Sequence, residues 1–161
     1  MSGEITLRHA IVADRQAIGR LWSEMMEFHR EYDPAFFRMK PDALDVWLQY
    51  LDECMENEEH IILVAEAGEG LIGLAMGRPG EDPPPFDAPR HGFITNFVIA
   101  EQWRGRGLGQ QLYQAIAAEF EKAGLTEVRL SVSVKNPASN AFWQQMGFEP
   151  FVVQMRRAVS G

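Results

Sequence analysis

The sequence predicts one α+β domain over residues 1–161, built as a mixed α/β sheet of about six to seven strands flanked by about four helices. Apolar and polar residues alternate from Glu127 to Val134, which is typical of a half-buried strand. Elsewhere apolar residues recur at helical spacing, as at Leu112, Ile116 and Phe120. With 161 residues, 46% hydrophobic and 24% charged, the chain is large enough and apolar enough for a single folded core.

The predicted elements follow one another in the order βααβββαβαβ. Asp14 is predicted to cap the first helix, and Pro41 to lie in the first turn of the second. Gly124 is predicted to end the third helix in the left-handed conformation, and Asn136 to cap the fourth. The predicted strands are Glu4–Ala10, His60–Ala67, Leu71–Gly77, Gly92–Ala100, Glu127–Val134 and Phe148–Arg157. This succession indicates a sheet with helices packed on its faces.

The bulk properties argue against several classes of function. A net charge of −8 is unfavourable for binding nucleic acid. No apolar window of about 18 residues and no signal-peptide pattern occurs, so we expect no membrane span. Cys54 is the only cysteine, which excludes an internal disulfide and fits a cytoplasmic location. His29, Glu31 and Asp33 are close in sequence but lack a recognised ligand spacing, so no metal is expected.

The glycine-rich segment "WRGRGLGQQLY", Trp103–Tyr113, follows an apolar strand and opens a helix. It fails the dinucleotide fingerprint because glutamine stands where the third glycine belongs, and it lacks the lysine of a P-loop. Gly107 and Gly109 nevertheless leave the first N–H groups of the helix open to an anion, which the helix dipole also favours. Arg104 or Arg106 could add a charge-assisted contact. The alternative is that these glycines only build a tight turn.

The same segment resembles the [QR]-x-x-G-x-[GA] signature of the GNAT superfamily of acyl-CoA-dependent N-acetyltransferases. Further along, "NPASNAFWQQMGFEP", Asn136–Pro150, resembles that family's N-x-x-[AS]-x-x-[FL]-Y-x-x-x-G-F segment. The matching residues of the two segments are Arg104, Gly107, Gly109, Asn136, Ser139, Phe142, Gly147 and Phe148. Both motifs occur in the family's order with a predicted strand between them, and the order of the earlier elements also fits a GNAT-like domain.

The resemblance implies acetyl-CoA as the cosubstrate. The pantetheine arm is then expected to pair with the backbone of Phe97, Val98 and Ile99, where one N–H would polarise the thioester carbonyl. The diphosphate is expected on the backbone amides of the glycine-rich turn: Arg104, Gly105, Arg106, Gly107, Leu108 and Gly109. The remaining expected coenzyme contacts, from the second motif, are Asn136, Ser139 and Trp143.

The activity that the resemblance implies is direct transfer of an acetyl group to a primary amine of a small molecule or a protein. The amine must lose a proton before it attacks, and the departing thiolate gains one. Family members often carry a tyrosine as this acid, whereas here the position is tryptophan, whose indole N–H is not a useful acid. The candidates for the catalytic groups are Asn96, Tyr113, Trp143 and His29. The candidates for contact with the acceptor are Phe28, His29, Tyr32 and Asn96.

Several alternatives stay open from the sequence. The missing tyrosine also fits a catalytically silent acyl-CoA-binding module that senses or regulates, and a nucleotide-binding regulator would require ATP or NAD to bind instead. The acids between Glu24 and Glu59 either steer a cationic amine or form a solvated helix surface. The apolar "FVVQM" of the last predicted strand could pair with the sheet of a second copy, which leaves a homodimer open.

Overall fold

The computed structural model describes residues 3–68, 70–87 and 90–160. The chain divides into two compact units, Met1–Ser131 and Val132–Gly161. The elements of the first unit are β1 (Thr6–His9), α1 (Arg15–Tyr32), α2 (Ala43–Glu56), β2 (Ile61–Ala67), β3 (Gly70–Gly80), β4 (His91–Ile99), α3 (Leu108–Lys122) and β5 (Val128–Leu130). Single turns of 3-10 helix occur at Val12–Asp14 and Glu101–Trp103. The second unit contains α4 (Pro137–Gln145).

The five strands form one sheet in the order β1-β2-β3-β4-β5. Neighbouring strands are antiparallel except for β4 and β5, which are parallel, so the sheet is mixed as predicted. The prediction of six to seven strands was wrong, since the described residues form five. The predicted final strand, Phe148–Arg157, is absent, because no described residue from 131 to 160 lies in a strand. Alternation shows that a segment can pair, but a strand forms only where another strand satisfies its backbone.

The helices α1 and α2 cover one face of the sheet. Trp22 of α1 stacks on Trp47 of α2 with ring centroids 4.9 Å apart and an interplanar angle of 13°. Both helices bury an apolar stripe against Leu74, Met76 and Val98 of the sheet, in a single cluster of buried residues. The helical stripe consists of Ile18, Leu21, Trp22, Met25, Leu48, Leu51 and Cys54. The buried residues of α1 recur at helical spacing.

The helix α3 covers the opposite face. Its Phe120 is fully buried, and two glycines of the sheet make room for that ring. A Cβ on Gly77 would lie 2.5 Å from Phe120 Cζ, and a Cβ on Gly92 would lie 2.6 Å from the same ring. Because neighbouring strand residues point to opposite faces, Met76 faces α1 and α2 while Gly77 faces α3. The sheet is therefore covered on both sides.

Two of the four predicted signals at helix ends were correct. Asn136 caps α4 through its side chain, and Gly124 ends α3 with φ at 79°. Asp14 occupies the N-cap position of α1, but the expected cap by its side chain is not made, and Pro41 lies before α2 and not in its first turn. The Asp14 carboxylate accepts from Arg8 and from the Ile11 N–H, so it holds the chain before α1 and makes no cap. The helix α2 begins at Ala43, after the expected proline. Among the described residues, no helix is long and apolar enough to cross a membrane.

Candidate active site

The edge of β4 is only partly covered by its neighbour β5. On one side β4 pairs with β3 from His91 to Ile99. On the other side it pairs with β5 at Gly92–Ile94 alone, because β5 has only three residues. The five residues Thr95–Ile99 therefore extend beyond the last position at which β4 and β5 pair.

A bulge at Thr95 decides which backbone groups point to this edge. Met76 pairs with Asn96 and Gly77 with Ile94, which leaves Thr95 as the extra residue, and its Oγ1 donates to the Met76 carbonyl at 3.3 Å. Before the bulge, the Gly92 N–H donates to Glu127 on the β5 side at 2.8 Å. One inserted residue shifts the alternation by one position beyond the bulge.

Beyond the bulge, odd-numbered residues direct their N–H groups to the β5 side. The Ala100 N–H donates to the Ile72 carbonyl at 2.8 Å, and these two residues continue the register of β4 on β3. In an antiparallel pair, every second residue exchanges hydrogen bonds with its partner. Val98 therefore turns its N–H and carbonyl towards β3, whereas Phe97 and Ile99 turn theirs towards the other edge.

The glycine-rich turn leads from this edge into α3 with an uncapped helix start. Gly105 and Gly107 have φ of 73° and 81°, the left-handed region that favours glycine. A Cβ at either position would meet no atom within 4 Å, so the space beside both is open. Gly107 is the N-cap residue, and no side chain caps the helix. The first turn of α3 therefore presents N–H groups that have no partner within the helix.

The two arginines of the turn are engaged in different contacts. Arg104 Nε donates to the Ile99 carbonyl at 3.0 Å, and its Cζ lies 5.0 Å from the centroid of the Phe28 ring. Arg106 Cζ lies 5.2 Å from the ring of Trp103. Arg104 thus connects the end of β4 to the C-terminal part of α1. Its predicted contact with a diphosphate stays a prediction.

Aromatic side chains cluster where α1 ends. Phe28 and Tyr32 meet edge to face with centroids 5.2 Å apart, and His29 packs on Phe37 at 5.0 Å. His29 is half-buried, and desolvation lowers the pKa of its imidazole. Through Arg104, this group is joined to the end of β4. The structure thereby brings together Phe28, His29 and Tyr32, three of the residues expected to contact the acceptor.

Besides His29, the first unit contains two catalytic candidates, Tyr113 on α3 and Asn96 on β4. The Tyr113 side chain is half-buried, and burial raises the pKa of its phenol. Asn96 pairs with Met76 in the sheet and shares its face, the one covered by α1 and α2. Among the described residues, no group of three His, Cys, Asp or Glu side chains could hold a metal ion.

The second unit holds the remaining candidates. Asn136 is buried, and its Oδ1 accepts from the Ser139 N–H at 3.0 Å. The amide of Asn140 donates to the Asn136 carbonyl at 2.7 Å, which fixes the start of α4. Trp143 is buried and packs edge to face on Phe148, with centroids 5.2 Å apart. These contacts fix the side chains within their own unit.

The family model described as the acetyltransferase (GNAT) family matches residues 22–148 of this chain. The chain belongs to the GNAT family. This match runs from within α1 to just beyond α4, and it includes β4 and the glycine-rich turn. The protein is therefore an acetyltransferase, as the two motifs predicted.

Three similar proteins match this chain over most of its length. The aminoglycoside N(6')-acetyltransferase type 1 of Stenotrophomonas maltophilia is 27% identical over 146 residues, which cover 89% of this chain and 86% of that protein. The tetramutant of the BH1408 protein from Bacillus halodurans superposes with a TM-score of 0.86 at 19% identity, covering 96% of this chain and 99% of that one. A predicted acetyltransferase with acetyl-CoA from Clostridium acetobutylicum gives a TM-score of 0.78 at 16% identity, covering 97% of each chain.

Two features of this GNAT site were missed from the sequence. The bulge at Thr95 carries no recognisable signal, since "FITNFVI" reads as one continuous strand. The contact of Arg104 with the Ile99 carbonyl and the Phe28 ring joins residues far apart in the chain. The signature position of Arg104 indicated a coenzyme contact only, so this connection to α1 could not be predicted.

Proposed function

We propose that this protein transfers the acetyl group of acetyl-CoA directly to a primary amine of a small molecule or a protein. The observation that carries the proposal is the stretch of β4 beyond β5, which leads directly into an uncapped helix start. An extended amide-containing chain can pair with such a strand edge, while an anion binds the helix terminus. The bound acetyl-CoA of the Clostridium acetobutylicum relative supports the same cosubstrate here.

The glycine-rich turn suits the diphosphate of coenzyme A. The N–H groups at the start of α3 point out of the helix, and the helix dipole adds a partial positive charge there. No atom lies within 4 Å of the Cβ positions of Gly105 and Gly107, so phosphate oxygens can approach the backbone. Arg106 lies on the same turn and supplies a positive charge beside it. The amides from Arg104 to Gly109 are the proposed binding groups.

The edge of β4 suits the pantetheine arm. The alternation after the bulge turns the backbone of Phe97 and Ile99 towards this edge, so we assign the pairing to these two residues and not to Val98. The Ile99 carbonyl already accepts from Arg104, which leaves its N–H as the group directed to a ligand. A backbone N–H at this edge would also stabilise the oxyanion of the tetrahedral intermediate. Asn136, Ser139 and Trp143 remain proposed contacts from the second unit.

The proposed chemistry is a single acyl transfer. The thioester supplies the activated acetyl group; the amine nitrogen forms a bond to its carbonyl carbon, and the carbon–sulfur bond breaks. The base must take the proton that the amine loses, and His29 is suited to this because its lowered pKa keeps the imidazole neutral near pH 7. The acid must protonate the thiolate, and Tyr113 holds its proton at neutral pH because burial raises its pKa. Asn96 and Trp143 can orient groups but transfer no proton at neutral pH.

The acceptor to test first is a cationic small molecule. The Stenotrophomonas maltophilia relative is named for an aminoglycoside, a class of molecule that carries several amines. The net charge of −8 on this chain attracts such a cation over a distance of about 8 Å at physiological salt. The aromatic group at the end of α1 offers faces on which an ammonium can lie.

The experiment is a free-thiol assay with acetyl-CoA and a panel of amines. The panel contains an aminoglycoside, a linear polyamine, a peptide with one lysine and a peptide with a free N-terminus. We expect thiol release that saturates with at least one amine. The Gly107→Asp variant should lose this activity, whereas Gly124→Asp, at the far end of α3, should keep it. If the wild type neither turns over nor binds coenzyme A, the proposal is wrong.

Trp143 favours a second candidate function, a coenzyme-binding sensor without activity. It stands where family members often have the tyrosine that protonates the thiolate, and it is buried among aromatic rings. Tight binding of coenzyme A by calorimetry, with no thiol release for any amine and pH tested, would support the sensor over the enzyme.

A further inference from the structure

One arginine of the sheet has no carboxylate partner among the described residues. On the described strands arginine occurs three times: Arg8 on β1, Arg78 on β3 and Arg129 on β5. Arg8 and Arg129 each bind two carboxylates. Arg78 is exposed; its Nη1 donates to the Pro79 carbonyl at 3.1 Å, and its Cζ lies 5.6 Å from the centroid of the Phe93 ring. Because a guanidinium has five N–H donors, a ligand can bind Arg78 through donors that no described residue uses.

Arg78 lies on the face of the sheet that α1 and α2 cover. Met76, two residues earlier on β3, packs in the core beneath these helices, and side chains two residues apart share a face. In the register of the sheet Arg78 is opposite Phe93, which lies two residues before the bulge at Thr95. The stretch of β4 beyond its last pair with β5 begins at this bulge. Two strand residues span about 7 Å and neighbouring strands lie about 5 Å apart, so the backbone of Arg78 is roughly 8 Å from the start of this stretch.

Polar groups of neighbouring elements lie around Arg78. The register of β2 on β3, continued by one residue, brings His60 beside it. Burial lowers the pKa of His60 and of His91, and the charge of Arg78 lowers both further. The Nδ1 atoms of these two histidines are buried and have no hydrogen-bond partner in the described part of the chain. Buried polar atoms in folded proteins are nearly always hydrogen-bonded. The surface around Arg78 therefore contains hydrogen-bonding groups that the described residues leave unused.

Other arginines hold the carboxylates near these histidines. The acids that act on the pKa of His60 and His91, against the larger effect of burial, are held as follows: Asp82 and Glu127 by Arg129, and Glu59 by Arg90. The histidines themselves are neutral near pH 7, because burial lowers the pKa of each imidazole. None of these acids balances the positive charge of Arg78, so an oxyanion that binds it gains a charge-assisted contact.

We propose that Arg78 binds an anionic group of the acceptor, so that the acceptor is an amine that also carries a carboxylate or a phosphate. This inference rests on the proposed acetyl transfer, because it places the amine near the bulge at Thr95 and the anion at Arg78, on one face of the sheet. A planar guanidinium binds either oxyanion through two parallel hydrogen bonds. The acidic chain attracts the ammonium group while Arg78 attracts the anion, so both ends orient the acceptor. An aminoglycoside and a linear polyamine carry no anion and serve as contrasting acceptors.

The first test compares matched acceptors in the free-thiol assay with acetyl-CoA. Each amino acid from 3-aminopropanoate to 6-aminohexanoate is paired with its uncharged carboxamide, and 3-aminopropyl phosphate is paired with 3-aminopropanol. For at least one pair, the anionic acceptor should exceed its uncharged partner by at least about tenfold in kcat/KM, because it gains a bidentate contact with a guanidinium. The carboxylate and phosphate pairs distinguish the two oxyanions.

The second test substitutes Arg78. Arg78→Met should lower kcat/KM for the anionic acceptor by at least about tenfold, mainly through KM, and by less than about threefold for its uncharged partner. Arg78→Lys should retain part of the preference, because it keeps the charge but loses the two parallel hydrogen bonds. The control is Arg20→Met, which removes an exposed arginine from α1 and should leave the preference unchanged. Circular dichroism and calorimetry with coenzyme A check that each variant is folded and binds the cosubstrate.

The outcomes separate this inference from the proposed function. Turnover of uncharged amines with no gain from an anionic group would overturn the inference and leave the acetyl transfer standing. A preference for the anionic acceptor that Arg78→Met retains would overturn it as well. If the wild type acetylates no amine, the proposed function is wrong, and the inference fails with it.

Discussion

Substituting Gly107 tests whether the start of α3 binds the diphosphate, and Gly124 provides a matched control. Both glycines have a positive φ, 81° and 79°, and at neither position would a Cβ meet an atom within 4 Å. They lie at opposite ends of the same helix. An alanine at either position should cost about 1–2 kcal/mol of folding free energy, because only the backbone conformation is strained. An aspartate costs less, because it tolerates this conformation better.

The effect on coenzyme binding should differ sharply between the two positions. An aspartate at the N-cap position accepts hydrogen bonds from the N–H groups that the diphosphate needs, so it competes directly for them. Its charge also repels the ligand: at about 6 Å and an effective dielectric constant of about 40, each pair of unit charges repels by about 1.4 kcal/mol. For the two charges of a diphosphate this is about 3 kcal/mol, or roughly 100-fold in Kd. Gly124→Asp should change Kd by less than about threefold.

Calorimetric titration with coenzyme A measures the affinity, and thermal unfolding measures the stability of the same samples. We expect Gly107→Asp to bind at least about 100-fold more weakly at nearly unchanged stability. An unchanged Kd for Gly107→Asp would refute the assignment of the diphosphate site. Equal losses of affinity for Gly107→Asp and Gly124→Asp would refute it as well, because the effect would then follow from the strain alone.

Three further predictions concern the rest of the chain. Trp143→Phe should slow turnover less than tenfold in the thiol assay, because the indole donates no proton to the thiolate; a thousandfold loss would contradict this. Arg104→Met should lower the free energy of unfolding by about 1–2 kcal/mol in denaturant titration, because it removes the hydrogen bond to the Ile99 carbonyl and the contact with the Phe28 ring. Arg106→Met should lower it less. Arg8 lowers the pKa of Asp14, so this ion pair stabilises the folded state at any pH above the ordinary carboxyl pKa of about 3.9. The stabilisation disappears as the pH falls through the lowered pKa of Asp14. Asp14→Asn should therefore reduce Tm at pH 7 but only slightly near pH 2. If the variant and the wild type differ in Tm by the same amount at both pH values, the ion pair does not stabilise the fold as predicted.

The parts of the fold that depend on local chemistry were predictable from the sequence. Positive φ at Gly124 follows from the need for glycine just after a helix, and the apolar stripe of α1 follows from helical periodicity. The turn that opens α3 was likewise visible, because glycines weaken a helix and so indicate close approach of a ligand. Each of these signals lies within a few residues of the feature that it predicts.

Features that depend on distant partners were not predictable. Phe148–Arg157 has the composition of a strand, but composition does not specify a pairing partner, and no described residue of this range lies in a strand. Asp14 has the position of a cap, yet Arg8 and the Ile11 N–H bind its carboxylate instead. Arg104 matches the signature of a coenzyme contact, while its partners come from α1 and from the end of β4.

The bulge at Thr95 links the two halves of the proposed coenzyme site. Without the extra residue, the alternation set at Gly92 would continue, and the N–H of Val98 would point to the β5 side. The Ile99 carbonyl would then face β3 and could not accept from Arg104 at the turn. With the bulge, Ile99 directs its N–H away from β3, and its carbonyl accepts from the arginine that precedes the helix start. One inserted residue thus aligns the strand edge with the glycine-rich turn, so that a single extended ligand can contact both.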